Sequence, residues 1–182
     1  MNWVLDGLYL LAGALLLPCW LWKLPRAPRY RAGLLQRLGF TPPMDRSRRR
    51  LWIHCASVGE AAIPRRLVSM FRSSHPDWEI VFSTNTNTGA QRLEELYADC
   101  PVIYMPLDLS WCVRSALRRV RPDVVILVEL EFWPNFVHAC GQAKIPVAIV
   151  NGRIGARSAR LLGALGRLWR DMWAPVRICC AR

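Results

Sequence analysis

Glu60 ends the run Leu51-Trp52-Ile53-His54-Cys55-Ala56-Ser57-Val58-Gly59-Glu60. Strand-forming residues pass there into a small-residue turn and then into a carboxylate. Open α/β sheets bind ligands where strand ends hand over to helix starts, and a helix N-terminus offers unpaired N–H groups to an anion. A carboxylate so placed can act as a general base. It also has a plainer explanation, because the helix macrodipole favours an acid in the first turn. The residues alone leave both readings open.

A second carboxylate-rich stretch is Glu129-Leu130-Glu131-Phe132-Trp133-Pro134-Asn135. It follows Val124-Val125-Ile126-Leu127-Val128, which is apolar on both faces as a central parallel strand must be. If the strand continues, Glu129 and Glu131 point the same way. Like charges held close raise one pKa, which is a way to build an acid or a base. The alternative is that one Glu caps a helix beginning near Pro134 while the other pairs with an arginine. Two further stretches suit a polar, anionic ligand. Ser83-Thr84-Asn85-Thr86-Asn87-Thr88-Gly89 offers hydroxyls and amides, of which helix capping accounts for only one or two. Asn151-Gly152-Arg153 supplies a guanidinium suited to phosphate.

Positioning these residues requires strands that alternate with helices. Apolar, β-branched runs fall at 51–57, 79–84, 102–105, 124–130, 146–151 and 176–181, with helical periodicity at 60–74, 88–99, 109–120, 133–143 and 156–172. That alternation predicts βαβ units around a parallel sheet. Right-handed crossovers then bring the C-terminal strand ends, and the residues above, to one rim. No G-x-G-x-x-G follows the first strand and no G-x-x-x-x-G-K-[ST] occurs, so nucleotide-dependent oxidoreductase and P-loop readings are poor. There is no H-E-x-x-H, and His54, His75 and His138 are scattered, with His54 read as strand packing. The seven cysteines lack C-x-x-C spacing and read as small apolar fillers in a reducing compartment rather than metal ligands. No cofactor or metal is called for.

The 182-residue chain is 53% hydrophobic and carries a net charge of +12. Residues 1–22 hold a single charge, Asp6, and are apolar without interruption from Gly7 to Trp22. As a helix those sixteen residues would span roughly 24 Å, so residues 1–22 are read as an uncleaved N-terminal membrane anchor with tryptophans at its ends. Residues 23–50 contain nine of the 25 Lys/Arg residues and one acid. They read as a basic juxtamembrane segment facing anionic lipid on the cytoplasmic side. A nucleic-acid partner is disfavoured, since no recognition motif accompanies the charge. Residues 51–182 form the α/β domain.

These motifs occur together in a known family. Ala56-Ser57-Val58-Gly59-Glu60, the threonine-rich loop ending in Thr88-Gly89, Pro106-Leu107-Asp108, Glu129-x-Glu131-x-Trp133-Pro134-Asn135, and Asn151-x-Arg153 with Arg157-Ser158 resemble, in order and spacing, the 3-deoxy-D-manno-octulosonic acid (Kdo) transferases of lipopolysaccharide assembly. Arg37-Leu38-Gly39 resembles that family's anchor region. The resemblance implies the Rossmann-like N-terminal, acceptor-binding half of a GT-B glycosyltransferase. It further implies transfer of Kdo from CMP-Kdo to a lipid A precursor without a metal, at the cytoplasmic face of the inner membrane. It places the general base at Glu60 and a transition-state role at Glu131. Ser57, Gly59, Thr84, Thr86, Thr88, Gly89, Glu129, Trp133, Asn135, Asn151 and Arg153 are the implied substrate-binding positions. Departures are Leu130 and Gly152, where the family more often has Thr and Ala, and Asn85 and Asn87 in the threonine-rich loop. The family's donor-binding domain is not matched, so the chain is expected not to transfer Kdo alone. Half of a split enzyme, a non-catalytic membrane-docked binder of the lipid A precursor, and a sugar-modifying enzyme of another specificity are the alternatives.

Overall fold

Six strands pair side by side in one parallel sheet, in the order β3-β2-β1-β4-β5-β6. They are β1 (Arg50–His54), β2 (Glu79–Thr84), β3 (Val102–Tyr104), β4 (Val124–Val128), β5 (Val147–Gly152) and β6 (Val176–Ala181). The helices are α1 (Leu34–Arg37), α2 (Arg65–Ser74), α3 (Asn87–Leu96), α4 (Ser110–Val120) and α5 (Pro134–Gln142). The structure, a computed structural model, describes residues 5–11, 13–15, 32–129, 133–152 and 174–181.

Alternation along β1 explains the layering. Trp52 enters a core with Val81, Met105, Val113, Leu117, Val125 and Phe136, under α4 and α5. Leu51 and Ile53 enter the opposite core with Val68, Ile80, Phe82, Leu93 and Tyr97, under α2 and α3. Every residue of β1 is buried, as a strand covered on both faces must be. Trp52 and Phe136 meet edge to face at 5.2 Å, and Phe82 stacks on Tyr97 at 4.2 Å. The parallel, doubly covered sheet expected from the alternating pattern is the one observed.

Several boundaries differ from the sequence expectation, with identifiable causes. The helix expected over 60–74 begins at Arg65, and residues 57–64 form turns. Pro64 has no N–H to donate to the Glu60 carbonyl, which instead accepts from Ile63 N at 3.0 Å. Glu60 therefore does not occupy a helix's first turn, and the macrodipole account of it loses its basis. β4 stops at Val128 because Glu129 turns left-handed, φ 63°. The strand expected to continue and point Glu129 and Glu131 the same way therefore does not run through Glu129, and Glu131 lies outside the described residues. The helix expected over 156–172 lies outside the described residues.

The stretch 32–50 is packed on the sheet. Tyr104 N donates to Gln36 Oε1 at 2.8 Å, Leu107 N to Arg37 O at 2.7 Å, and Ser115 Oγ to Gly39 O at 2.8 Å. Gly39 sits at φ 89°, and a Cβ there would lie 2.4 Å from the Cys112 carbonyl, so only glycine fits. Arg50 is buried at 2% exposure. Its guanidinium holds Glu79 Oε2 (Nε at 2.7 Å), the Asp45 carbonyl (2.8 Å) and the Val120 carbonyl. Arg37 donates to the Asn85 carbonyl at 2.7 Å and lies over the Tyr104 ring. Two charges of the basic segment are thus internal braces, while Arg46, Arg48 and Arg49 are exposed.

Residues 5–11 and 13–15 are helical. Most of the expected anchor lies outside the described residues, and no helix among the described residues is long and apolar enough to cross a membrane.

Candidate active site at the sheet rim

The strand order reverses between β1 and β4, which pair in register from Leu51↔Val124 to His54↔Leu127. The chain leaving β1 and the chain leaving β4 therefore diverge from adjacent strand ends, the geometry that opens a ligand crevice in doubly wound sheets. The two carboxylate-bearing stretches picked out by spacing are those two exits.

Glu60 lies in the first exit and is 8% exposed. Its Oε2 accepts from Ala56 N at 2.8 Å and its Oε1 from the Ser57 hydroxyl at 2.8 Å. The carboxylate is thus fixed by its own loop, yet each oxygen keeps a further lone pair for a reacting proton. Ser57 is half-buried, Gly59 exposed. The Ala56 carbonyl in turn accepts from Asn85 N at 3.1 Å and Thr84 Oγ1 at 3.2 Å, so the threonine-rich loop braces the Glu60 loop. Within that loop the roles divide. Thr86 caps α3 by accepting from Gly89 N at 3.0 Å. Gly89 is held against Thr84 and Thr86 so closely that a Cβ would lie 2.3 Å from Thr84 Oγ1. Thr84 and Gly89 are buried and structural, whereas Thr86 and Thr88 face outward.

In the second exit, Glu129 and Asn151 end neighbouring strands in left-handed conformations, φ 63° and 57°. Asn151 Nδ2 donates to Glu129 Oε1 at 3.3 Å, and Glu129 N to Val150 O at 2.8 Å. Left-handed backbone at residues that are not glycine stores on the order of 1–2 kcal/mol each. Trp133 meets His54 edge to face at 6.0 Å. The His54 ring in turn lies 2.9 Å from Ser83 Oγ, which also accepts from the Trp52 indole at 2.7 Å. Glu131 and Arg153 lie outside the described residues.

Asn135 and Asp108, both in motifs expected at the rim, belong to a polar node that also takes in Asp6 and Tyr9, which spacing did not single out. Asp108 Oδ2 and Oδ1 accept from Asn135 N (3.1 Å) and Phe136 N (2.8 Å), capping α5, while Asn135 Nδ2 donates to the Asp108 carbonyl at 2.6 Å. Asp6 accepts from Ser110 N at 2.9 Å, from the Ser110 hydroxyl and from Asn135 Nδ2 at 3.1 Å. Tyr9 donates its hydroxyl to Asp108 Oδ2 at 3.2 Å. Burial, helped by the charge of Asp6, pushes the Asp108 carboxyl up to about 6, against the opposing pull of those N–H donors and the tyrosine. Burial and the two carboxylates push the Tyr9 phenol up as well. Asp6 was the lone charge in an apolar run, and that was the signal available for it. Nothing in the spacing distinguished Tyr9.

Among the described residues no cluster of three His, Cys, Asp or Glu side chains could hold a metal. Cys55, Cys112 and Cys140 are buried free thiols, as the filler reading expects, but Cys100 is half-buried and Cys179 and Cys180 on the edge strand β6 are exposed, so that reading fails for them. Burial raises the three buried thiols, Cys112 to about 11.

The fold and rim define a doubly wound α/β domain with a polar site at its topological switch point. Solved structures share that fold: a UDP-N-acetylglucosamine 2-epimerase (TM-score 0.51, 11% identity, 74% of this chain and 42% of that one) and Acinetobacter baumannii MurG (TM-score 0.50, 12% identity, 74% and 41%). The profile of the family described as 3-deoxy-D-manno-octulosonic-acid transferase (kdotransferase) matches residues 32–182. The chain belongs to this family. It is 34% identical over 164 residues to the 3-deoxy-D-manno-octulosonic acid transferase of Haemophilus influenzae, covering 86% of this chain and 37% of the relative. It is 31% identical over 128 residues to that of Chlamydia trachomatis, covering 69% and 30%. The chain thus spans about a third of the length of these relatives.

Proposed function

We propose that the chain supplies the acceptor side of a glycosyltransferase that moves Kdo from CMP-Kdo to a lipid A precursor, as the N-terminal half of a GT-B enzyme. Family membership supports the class of reaction. The observation that carries the site is Glu60, a buried carboxylate held by Ala56 N–H and the Ser57 hydroxyl at the β1/β4 switch point. In this reading Glu60 takes the proton from the acceptor hydroxyl as that oxygen bonds to the anomeric carbon. The bond from that carbon to the CMP phosphate oxygen breaks, and CMP leaves with the electron pair. Glu131 assists at the transition state, and Thr86, Thr88, Trp133, Asn151 and Arg153 line the substrate. The donor is held by protein beyond the residues matched here. The lipid acceptor is reached at the cytoplasmic face of the inner membrane through the apolar N-terminal segment, whose Leu8, Leu11 and Leu15 are 58%, 61% and 75% exposed.

One observation favours a second reading, a lipid A-precursor binding protein without transfer. Both Glu60 oxygens are engaged by their own loop, as a purely structural clasp would be. Glu60→Gln separates the two readings. The chain is mixed with a donor-binding domain, CMP-Kdo and lipid A precursor, and transfer is followed beside precursor binding. Loss of transfer with binding retained supports the base; transfer equal to that of the unmutated chain rules it out.

A further inference from the structure

The N-terminal segment does more than present leucines. Asp6 and Tyr9 reach residues about a hundred positions away in the chain: Ser110 at the start of α4, Asp108 before it, and Asn135 at the start of α5. Asp6 is 7% exposed and Asn135 is 1% exposed. Capping accounts for the bonds to Ser110 N, Asn135 N and Phe136 N. It does not account for the side chain of Asn135, which joins Asp6 to the Asp108 carbonyl and so locks three elements together. Both hydrogens of Asn135 Nδ2 are engaged while its buried Oδ1 has no partner among the described residues, and buried hydrogen bonds of this kind favour one arrangement of the parts they join.

The consequence concerns the short link between β4 and α5. Its first residue, Glu129, is fixed by Asn151 and by the Val150 carbonyl. Its far end, Trp133 to Asn135, is fixed by His54, Asp108 and Asp6. Residues 130–132, which join these two fixed ends, lie outside the described residues.

We propose that Asp6 and Tyr9 are positioning residues for the rim: by clamping the N-terminal helix to the starts of α4 and α5 they set where Trp133 and Asn135 stand on it, so that docking of the apolar segment and assembly of this part of the rim are one event. This rests on the reading of the link as part of the acceptor-side machinery. A helix serving only as a lipid anchor would need no buried carboxylate aimed at the rim.

Amide hydrogen exchange on the unmutated chain and on Asp6→Ala, Asp6→Asn and Tyr9→Phe tests the clamp independently of any activity. Asp6→Ala is expected to speed exchange at Ser110, Asn135 and Phe136 by about tenfold or more while β1 and β4 stay protected. Asp6→Asn keeps an oxygen for Ser110 N–H and should restore most of that protection. If Asp6→Ala loosens the whole sheet, the comparison passes to Tyr9→Phe, which is expected to loosen α5's first turn selectively, with Asp6→Asn remaining close to the parent. Exchange at Asn135 and Phe136 within about twofold of the parent in all three variants overturns the proposal. In the reconstituted transfer reaction Asp6→Ala should lower kcat about tenfold or more with KM for the acceptor little changed, the pattern of a misplaced catalytic loop. A change confined to KM marks a lipid anchor and also overturns it. Failure of the unmutated chain to transfer counts against the proposed function, and the exchange result still decides the clamp.

Discussion

At the scale of single residues, carboxylates with different surroundings are expected to behave differently. Burial raises the titration of Asp108, with Asp6 and Tyr9 as the titratable groups that face it, whereas hydrogen bonds hold the exposed carboxyls of Asp45 and Asp99 below the ordinary value. Its folded pKa of about 6 lies above the ordinary value of 3.8. Between about pH 4 and 6 the folded chain therefore binds more protons at this site than the unfolded chain, and stability falls as pH rises through that window. Asp108→Asn should abolish this contribution, on the order of 2 kcal/mol. Urea midpoints of both proteins from pH 4 to 7.5 should converge at the acid end and separate above pH 6 in favour of the variant. A difference independent of pH would contradict the assignment. Glu60 is engaged differently, by a backbone N–H and a hydroxyl within its own turn, a geometry that fixes the carboxylate without closing it to an incoming proton.

At the scale of elements, the loop between β2 and α3 shows how local chemistry holds the site. Gly89→Ala would force a methyl group against Thr84 Oγ1 and Thr86 Oγ1, at 2.3 and 2.8 Å from the added carbon. The cap of α3 and the brace on the Ala56 carbonyl must then give way, a cost of about 1–3 kcal/mol that outweighs the helix propensity gained. Thermal unfolding should register a fall of several degrees. Gly59→Ala, whose added carbon meets nothing nearer than Ser57 Oγ at 3.9 Å, should leave the melting temperature unchanged. The same elements mark what could be read from the sequence. β2 is unmistakable because Glu79–Thr84 is a β-branched run bounded by turn residues, whereas β6 has only Val176 and Ile178 as β-branched residues after Pro175. The start of α2 is not legible because helical periodicity extends back to Glu60, while the missing N–H of Pro64 decides where hydrogen bonding begins. The end of β4 is not legible because no pattern of apolar residues announces a left-handed Glu129. The node of Asp6, Tyr9, Asp108 and Asn135 joins residues up to 129 positions apart. Spacing along a chain carries no record of such a meeting.

At the scale of the whole molecule, one end of the sheet gathers polar chemistry while apolar side chains stand out nearby. Leu35, Phe40, Leu107 and Trp111 are exposed at 67%, 56%, 44% and 47%, in or beside elements that pack against the α4 start, and Leu8, Leu11 and Leu15 extend from the helix clamped there. Arg46, Arg48 and Arg49 are exposed too, but they precede β1 beside the end of α4, at the opposite edge of the sheet, so the apolar side chains alone suit this surface to a lipid layer. Flotation with phospholipid vesicles should recover the chain, and least for a Leu8→Ser, Leu11→Ser, Leu15→Ser variant. Recovery unaffected by all three substitutions would contradict a lipid-facing role for this helix.

The proposed function stands on Glu60 as the base of a catalytic rim at the β1/β4 switch point. The most direct measurement is the rate of Kdo transfer by Glu60→Gln against the unmutated chain. Both are supplied with the same donor-binding domain, CMP-Kdo and lipid A precursor, and both are checked for equal melting temperature. A folded variant slower by about 10²–10⁴-fold is the predicted result. A folded variant that transfers at the parent's rate would contradict the account.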